Sequence, residues 1–184
     1  MSFYSKEGRF SFIHTPKTGG SSIRDMLSAA WPDATYIAPC HTEAAKVRAM
    51  VPDGTFLFGF VRNPYEWVES LRRYVSLMPG SVLYEYIQDP VEFTSELWAA
   101  CSIGVMTENG PILFQREVVA GCDKVYRFED MEGAATDIGE RLGRIMPLEH
   151  KNANGAESID VEGEYRECIS SLFAKDFRAF NYTP

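Results

Sequence analysis

Phe10-Ser-Phe-Ile-His-Thr-Pro-Lys-Thr-Gly-Gly-Ser-Ser-Ile-Arg-Asp-Met-Leu27 is the stretch from which the fold can be read. A short apolar run passes into a Lys-Thr-Gly-Gly-Ser-Ser turn, and an amphipathic helical pattern follows at once, with Ile23, Met26, Leu27 and Ala30 on its apolar side. The turn therefore sits at a helix N-terminus, where unpaired backbone N–H groups and the helix dipole favour an anion. Gly19 and Gly20 carry no Cβ, so the backbone can close around oxygens. A strand, an oxyanion cradle and a helix are expected in that order, with a phosphate or phosphosulfate as the guest.

The cradle does not follow the Walker A order, in which the lysine comes after the glycines. Here Lys17 precedes Gly19 and Gly20. A second segment, Thr55-Phe-Leu-Phe-Gly-Phe-Val-Arg-Asn-Pro-Tyr-Glu-Trp-Val-Glu-Ser-Leu-Arg-Arg-Tyr74, starts as a continuous apolar run, the pattern of a strand buried on both faces of a parallel sheet. It stops at Arg62. Asn63 then suits a helix cap, Pro64 the first helical position and Glu66 the third residue of a capping box. Trp67, Val68, Leu71, Tyr74 and Val75 form the apolar stripe of that helix. A magnesium-dependent kinase usually places a metal-holding Asp at such a strand end. Residues 56–61 contain no acid and end on a cation.

The order Pro16-Lys17-Thr18-Gly19-Gly20-Ser21-Ser22 resembles the 5′-phosphosulfate loop of sulfotransferases that use 3′-phosphoadenosine 5′-phosphosulfate (PAPS), most closely the branch of the heparan sulfate 2-O- and 6-O-sulfotransferases. Arg62 and Ser70 have the eight-residue spacing of that family's 3′-phosphate motif. Their chemistry suits the role: a guanidinium makes bidentate contacts with a terminal phosphate, and a serine adds a hydroxyl donor. Further matches are weaker. Val125-Tyr-Arg-Phe-Glu-Asp-Met131 is similar to the family's strand ending near the adenine; Phe128 stands where cytosolic relatives carry tyrosine, so a core role is equally open to it. His150-Lys151-Asn152 is similar to an element after the last strand, and adds Lys151 to the implied donor contacts. Residues 76–121 match nothing in the family; their Tyr84, Tyr86, Phe93, Trp98 and Phe114 suit an acceptor surface or a core.

The resemblance implies an α/β three-layer sandwich with a mostly parallel central sheet, of the P-loop-NTPase-like sulfotransferase fold, as one domain over residues 1–184. It also implies transfer of a sulfuryl group from PAPS to a hydroxyl of a carbohydrate or small molecule. Thr18, Gly19, Gly20, Ser21 and Ser22 would hold the 5′-phosphate, with Pro16 in the same loop. Lys17 would stabilise the leaving phosphate, Arg62 and Ser70 would hold the 3′-phosphate, and Ser70 would restrain Lys17. His41 lies where the 2-O branch carries its proposed base, with Glu43 as the fallback if its pKa is raised. His14 reads as a loop-shaping or core residue, and His150 lies in the weak match. A sulfuryl group carries less negative charge than a phosphoryl group, so side-chain cations could suffice and no metal is expected. A P-loop-like kinase and a non-catalytic nucleotide-binding module are the alternatives.

Bulk properties narrow the partners. The chain carries a net charge of −8 and 24% charged residues, which argues against nucleic acid and long polysulfated glycans. It holds no run apolar enough for a membrane span, and Met1-Ser-Phe-Tyr-Ser-Lys-Glu7 lacks an apolar secretory h-region, so no secretory leader is expected. A cytoplasmic location of a soluble bacterial or viral type is expected, unlike the Golgi-anchored animal members. Cys40, Cys101, Cys122 and Cys168 lack C-x-x-C spacing, and reduced thiols are expected. Strands are predicted over 11–13, 35–37, 56–61 and 124–128. Helices are predicted over 21–30, 43–50, 64–75, 82–88, 90–101, 131–146 and 162–177.

Overall fold

The computed structural model describes residues 2–39, 41–107, 110–146 and 161–184. Cys40, His150 and Lys151 lie outside the described residues. A five-stranded sheet is built from β1 (Ser2–Ser5), β2 (Phe10–Ile13), β3 (Thr35–Ala38), β4 (Phe56–Val61) and a later strand, Lys124–Arg127, in the order β3-β1-β2-β4-(124–127). The three strands nearest the motifs are parallel, with Ile13 opposite Gly59 and Val61 opposite Arg127. β1 runs against both β2 and β3, so the sheet is mixed, with four strands in one direction and one reversed.

β1 corrects the expectation that residues 11–13 form the first strand. Its Ser-Phe-Tyr-Ser has no alternating apolar pattern, because Ser2 and Ser5 are fully buried beside Phe3. Ser5 is made tolerable by its bonds: its hydroxyl donates to Asp33 Oδ1 at 2.8 Å and accepts the Gly8 N–H.

Helices cover both faces of the sheet. Phe10, Phe12, Phe58, Phe60 and Tyr126 point to one side, where α1 (Gly20–Ala30) supplies Ile23, Met26 and Leu27. Ile13 and Leu57 point to the other, against α2 (Ala44–Arg48) and Val118. α3 (Pro64–Val75) and α4 (Pro90–Ile103) form a second core, which Phe93 and Phe114 join, with Tyr84 and Tyr86 packed against it. Four of the five aromatics in the unmatched stretch are thus committed to packing, and Trp98 stays 39% exposed.

Beyond the small β5 (Met106–Thr107) and β6 (Gly110–Pro111) pair come α5 (Gln115–Val118), β7 (Lys124–Arg127), α6 (Met131–Leu142), α7 (Gly163–Leu172) and α8 (Ala174–Ala179). Several predicted bounds move. The helix expected over 82–88 is one 3-10 turn at Tyr84–Tyr86. α2 is shorter than 43–50. α6 stops at Leu142 rather than 146, because Gly143 adopts φ 72, the left-handed conformation that ends helices. The helix expected over 162–177 breaks at Phe173, which turns so that it and Phe177 both reach the second core. Among the described residues no helix is long and apolar enough to cross a membrane.

Candidate functional site

The end of β2 leads into a loop that the rest of the molecule holds from several sides. Thr18 is buried and donates its hydroxyl to the Thr15 carbonyl at 2.8 Å. The Trp67 indole N–H, from α3, donates to the Pro16 carbonyl at 2.9 Å. Lys17 and Gly19 both take positive φ, 62 and 74. For lysine this is a strained conformation, one that an unanchored loop would not keep. Gly19 is the cap residue of α1 and has no side chain with which to cap that helix. Backbone N–H groups therefore lead the cradle, with Ser21 exposed and Ser22 half-buried beside them.

The glycines answer to packing as well as to a guest. A Cβ on Gly20 would lie 2.1 Å from the His14 ring, and one on Gly19 would lie 3.0 Å from the Phe128 ring. The cradle is thus pressed against two rings, and a side chain at either position would push the loop off them.

Arg62 approaches from the end of β4. Its guanidinium stands 4.5 Å over the Phe128 ring and donates from Nε and Nη2 to Glu66 Oε2, at 3.1 and 2.8 Å. Only 14% of this side chain is exposed. Phe128 therefore touches both motifs: one edge faces Gly19 and the ring carries Arg62. The Lys17 ammonium lies 4.5 Å over the Tyr74 ring. Burial, and then the charge of Arg62, draw its pKa below the ordinary lysine value. Two cations thus share one region at the carboxyl ends of parallel strands. Ser70 is half-buried on α3, three residues after Trp67 and four before Tyr74. That spacing puts it on the helix face that both pins the loop and carries Lys17.

The expected capping box does not form. Asn63 does accept the Tyr65 N–H at 3.0 Å, but Glu66 turns to Arg62, and Glu129 accepts the Asn63 N–H instead, at 2.7 Å. Glu129 is held in turn by the Tyr182 hydroxyl at 2.6 Å. Residue-level patterns pointed to neither Glu129 nor Trp67 as a support of the site, since both roles depend on contacts across the fold.

The candidate bases lie beside the cradle. The rings of His14 and His41 meet edge to face, 5.6 Å apart. Burial lowers His14 to about 3 and His41 to about 4. Both are neutral near pH 7, so His41 can accept a proton there, as a weak base. Glu43 departs from what a fallback base needs. Burial raises its pKa, but the ion pair with Lys46 Nζ at 2.7 Å prevails and holds it below the usual glutamate value.

The two histidines also predict a pH dependence of folding. A folded pKa below the unfolded value of about 6.5 means that the unfolded chain binds the proton first. The contribution is complete above about pH 6.5 and is lost as pH falls towards the folded values. Going from pH 7 to 5 should cost about 2–4 kcal/mol, with uptake of close to two protons on unfolding at pH 5. Denaturant titration across this range checks it, and His41→Gln should remove about half of the dependence.

Among the described residues no group of three or more His, Cys, Asp or Glu side chains converges as a metal site would. No known family model, curated protein or solved structure matches this chain.

Proposed function

We propose that the chain is a sulfotransferase that moves a sulfuryl group from PAPS to a hydroxyl of a carbohydrate or small-molecule acceptor. The observation that carries this reading is the meeting of the two cationic motifs at Phe128: Gly19, in the cradle that also carries Lys17, faces an edge of the ring, and the Arg62 guanidinium lies over the ring. A donor with phosphates at both its 3′ and 5′ positions asks for two such points, whereas ATP asks for one continuous polyphosphate track. The P-loop-NTPase-like sulfotransferase fold belongs to the same proposal. Its support is the parallel β2-β4-β7 core with both motifs at the carboxyl ends, where ligands of open α/β sheets sit.

PAPS supplies a sulfuryl group on a good phosphate leaving group. The chain does the rest by position and charge, as in phosphoryl transfer. The N–H groups from Thr18 to Ser22 hold the 5′-phosphate, and Pro16, pinned by Trp67, fixes the loop that carries them. As the sulfur–oxygen bond breaks, Lys17 meets the charge that develops on the departing phosphate. Arg62 exchanges one anion for another, leaving Glu66 for the 3′-phosphate, while Ser70 adds a hydroxyl. Phe128 presents an apolar ring beside them for the adenine. His41 takes the proton that the acceptor hydroxyl gives up as its oxygen bonds to sulfur.

The test is calorimetric titration with 3′,5′-adenosine bisphosphate, AMP and Mg·ATP. The bisphosphate should bind most tightly, and Arg62→Ala should weaken it about 10- to 100-fold, the cost of losing charged hydrogen bonds. AMP affinity should move far less. A preference for Mg·ATP would overturn the reading in favour of a kinase-like activity.

A further inference from the structure

Arg62 is held by its backbone as well as through its guanidinium. The Gln115 side-chain oxygen accepts the Arg62 N–H at 2.8 Å, and the Gln115 amide donates to the Arg62 carbonyl at 2.9 Å. One side chain thus satisfies both polar groups of a single residue, as a neighbouring strand would. This matters because of where β4 ends. Its pairing with β2 stops at Gly59 and its pairing with β7 at Val61, so Arg62 stands one residue beyond the ladder. An extended residue there would otherwise be free to turn.

Gln115 is itself 1% exposed and fixed from behind. The next residue, Arg116, donates its backbone N–H to Asp176 Oδ1 at 3.0 Å and its guanidinium to Asp176 Oδ2 at 2.7 Å. Asp176 lies on α8 and is also 1% exposed. The first turn of α5 is therefore clamped to α8, and Gln115 projects from that clamp.

We propose that Gln115 is a positioning residue that sets the aim of Arg62, and with it the site's selectivity for a ligand carrying a 3′-phosphate. This rests on the reading of Arg62 as the 3′-phosphate contact. A buried glutamine placed only for stability would affect every ligand alike. One placed to aim Arg62 affects only ligands that Arg62 touches.

The experiment compares wild type, Gln115→Ala and Gln115→Met by calorimetry with 3′,5′-adenosine bisphosphate and with AMP. Methionine keeps the length and volume while removing both hydrogen bonds, so it serves if the alanine variant fails to fold. The expected result is a loss of about tenfold in bisphosphate affinity, from freeing one backbone residue, with AMP affinity changed less than about twofold. Faster hydrogen exchange at the Arg62 amide should accompany it in Gln115→Met. Equal losses for both ligands, or no loss for either, would overturn the proposal while leaving the donor reading in place. A wild-type protein that does not distinguish the bisphosphate from AMP would overturn the donor reading and this inference together.

Discussion

Replacing Lys17 by alanine is expected to lower turnover by about 10²- to 10³-fold, the usual effect of deleting one preorganised group that meets charge developing in a transition state. Three features single out this residue. Its backbone has φ 62, so the loop aims it at a cost in strain. Its ammonium rests 4.5 Å over Tyr74, and among the described residues it makes no ion pair. A cation–π contact is weak enough to give up when a stronger anion appears, yet it orders the side chain beforehand. Burial and the nearby Arg62 also make its charge less well solvated. A poorly solvated cation has more to gain from a developing negative charge than one in open water. The effect should therefore fall on kcat more than on ground-state affinity. Kinetics of PAPS turnover, with an acceptor found by screening hydroxyl compounds, would check this beside calorimetry with the bisphosphate. Lys17→Met keeps the stem against Tyr74 and should lose nearly as much. Turnover that survives in both variants would remove Lys17 from the mechanism.

Legibility in the sequence followed the locality of each signal. The parallel core could be read because 56–61 is an uninterrupted apolar run, and 10–13 is nearly one, each stopped by residues that cannot continue a strand. The cap at Asn63 and Pro64 was equally local, and it stands where the pattern put it. β1 could not be read, since its buried residues include two serines, one of which, Ser5, is bonded by Asp33 from 28 residues along the chain. The site divides the same way. Lys17, Gly19, Gly20 and Arg62 announced themselves by spacing, and the structure brings Gly19 and Arg62 to the Phe128 ring, sets Gly20 against His14 and lays Lys17 over Tyr74. Their supports did not. Gln115 meets Arg62 across 53 residues and Glu129 meets Asn63 across 66, from turns with no pattern that marks a polar residue for a role. Glu66 shows how a local rule loses to a stronger partner. The capping box would have earned it a neutral N–H, but the Arg62 guanidinium, just ahead of the helix, makes two charged hydrogen bonds to it.

Trp67→Ala should be the most destabilising single change near the site, at about 3–5 kcal/mol, the range for deleting a fully buried aromatic. The indole packs edge to face on Phe173, 5.8 Å between ring centres, at the point where the C-terminal helices break. Its removal leaves a cavity between α3 and that break, and it leaves the Pro16 carbonyl without its 2.9 Å donor. Two effects are thus combined in alanine, and Trp67→Phe separates them. Phenylalanine keeps most of the packing and loses the N–H, so its stability should fall by only about 1–2 kcal/mol. Its effect on the cradle should stay, because Pro16 immediately precedes the strained Lys17, and an unpinned loop can relax from φ 62. Denaturant unfolding and bisphosphate titration on both variants read the two effects apart. If Trp67→Phe binds as tightly as wild type, the indole serves the core alone. If it folds well and binds several-fold more weakly, then the helix that follows Arg62 also holds the loop that carries Lys17, and the two halves of the donor site share one support.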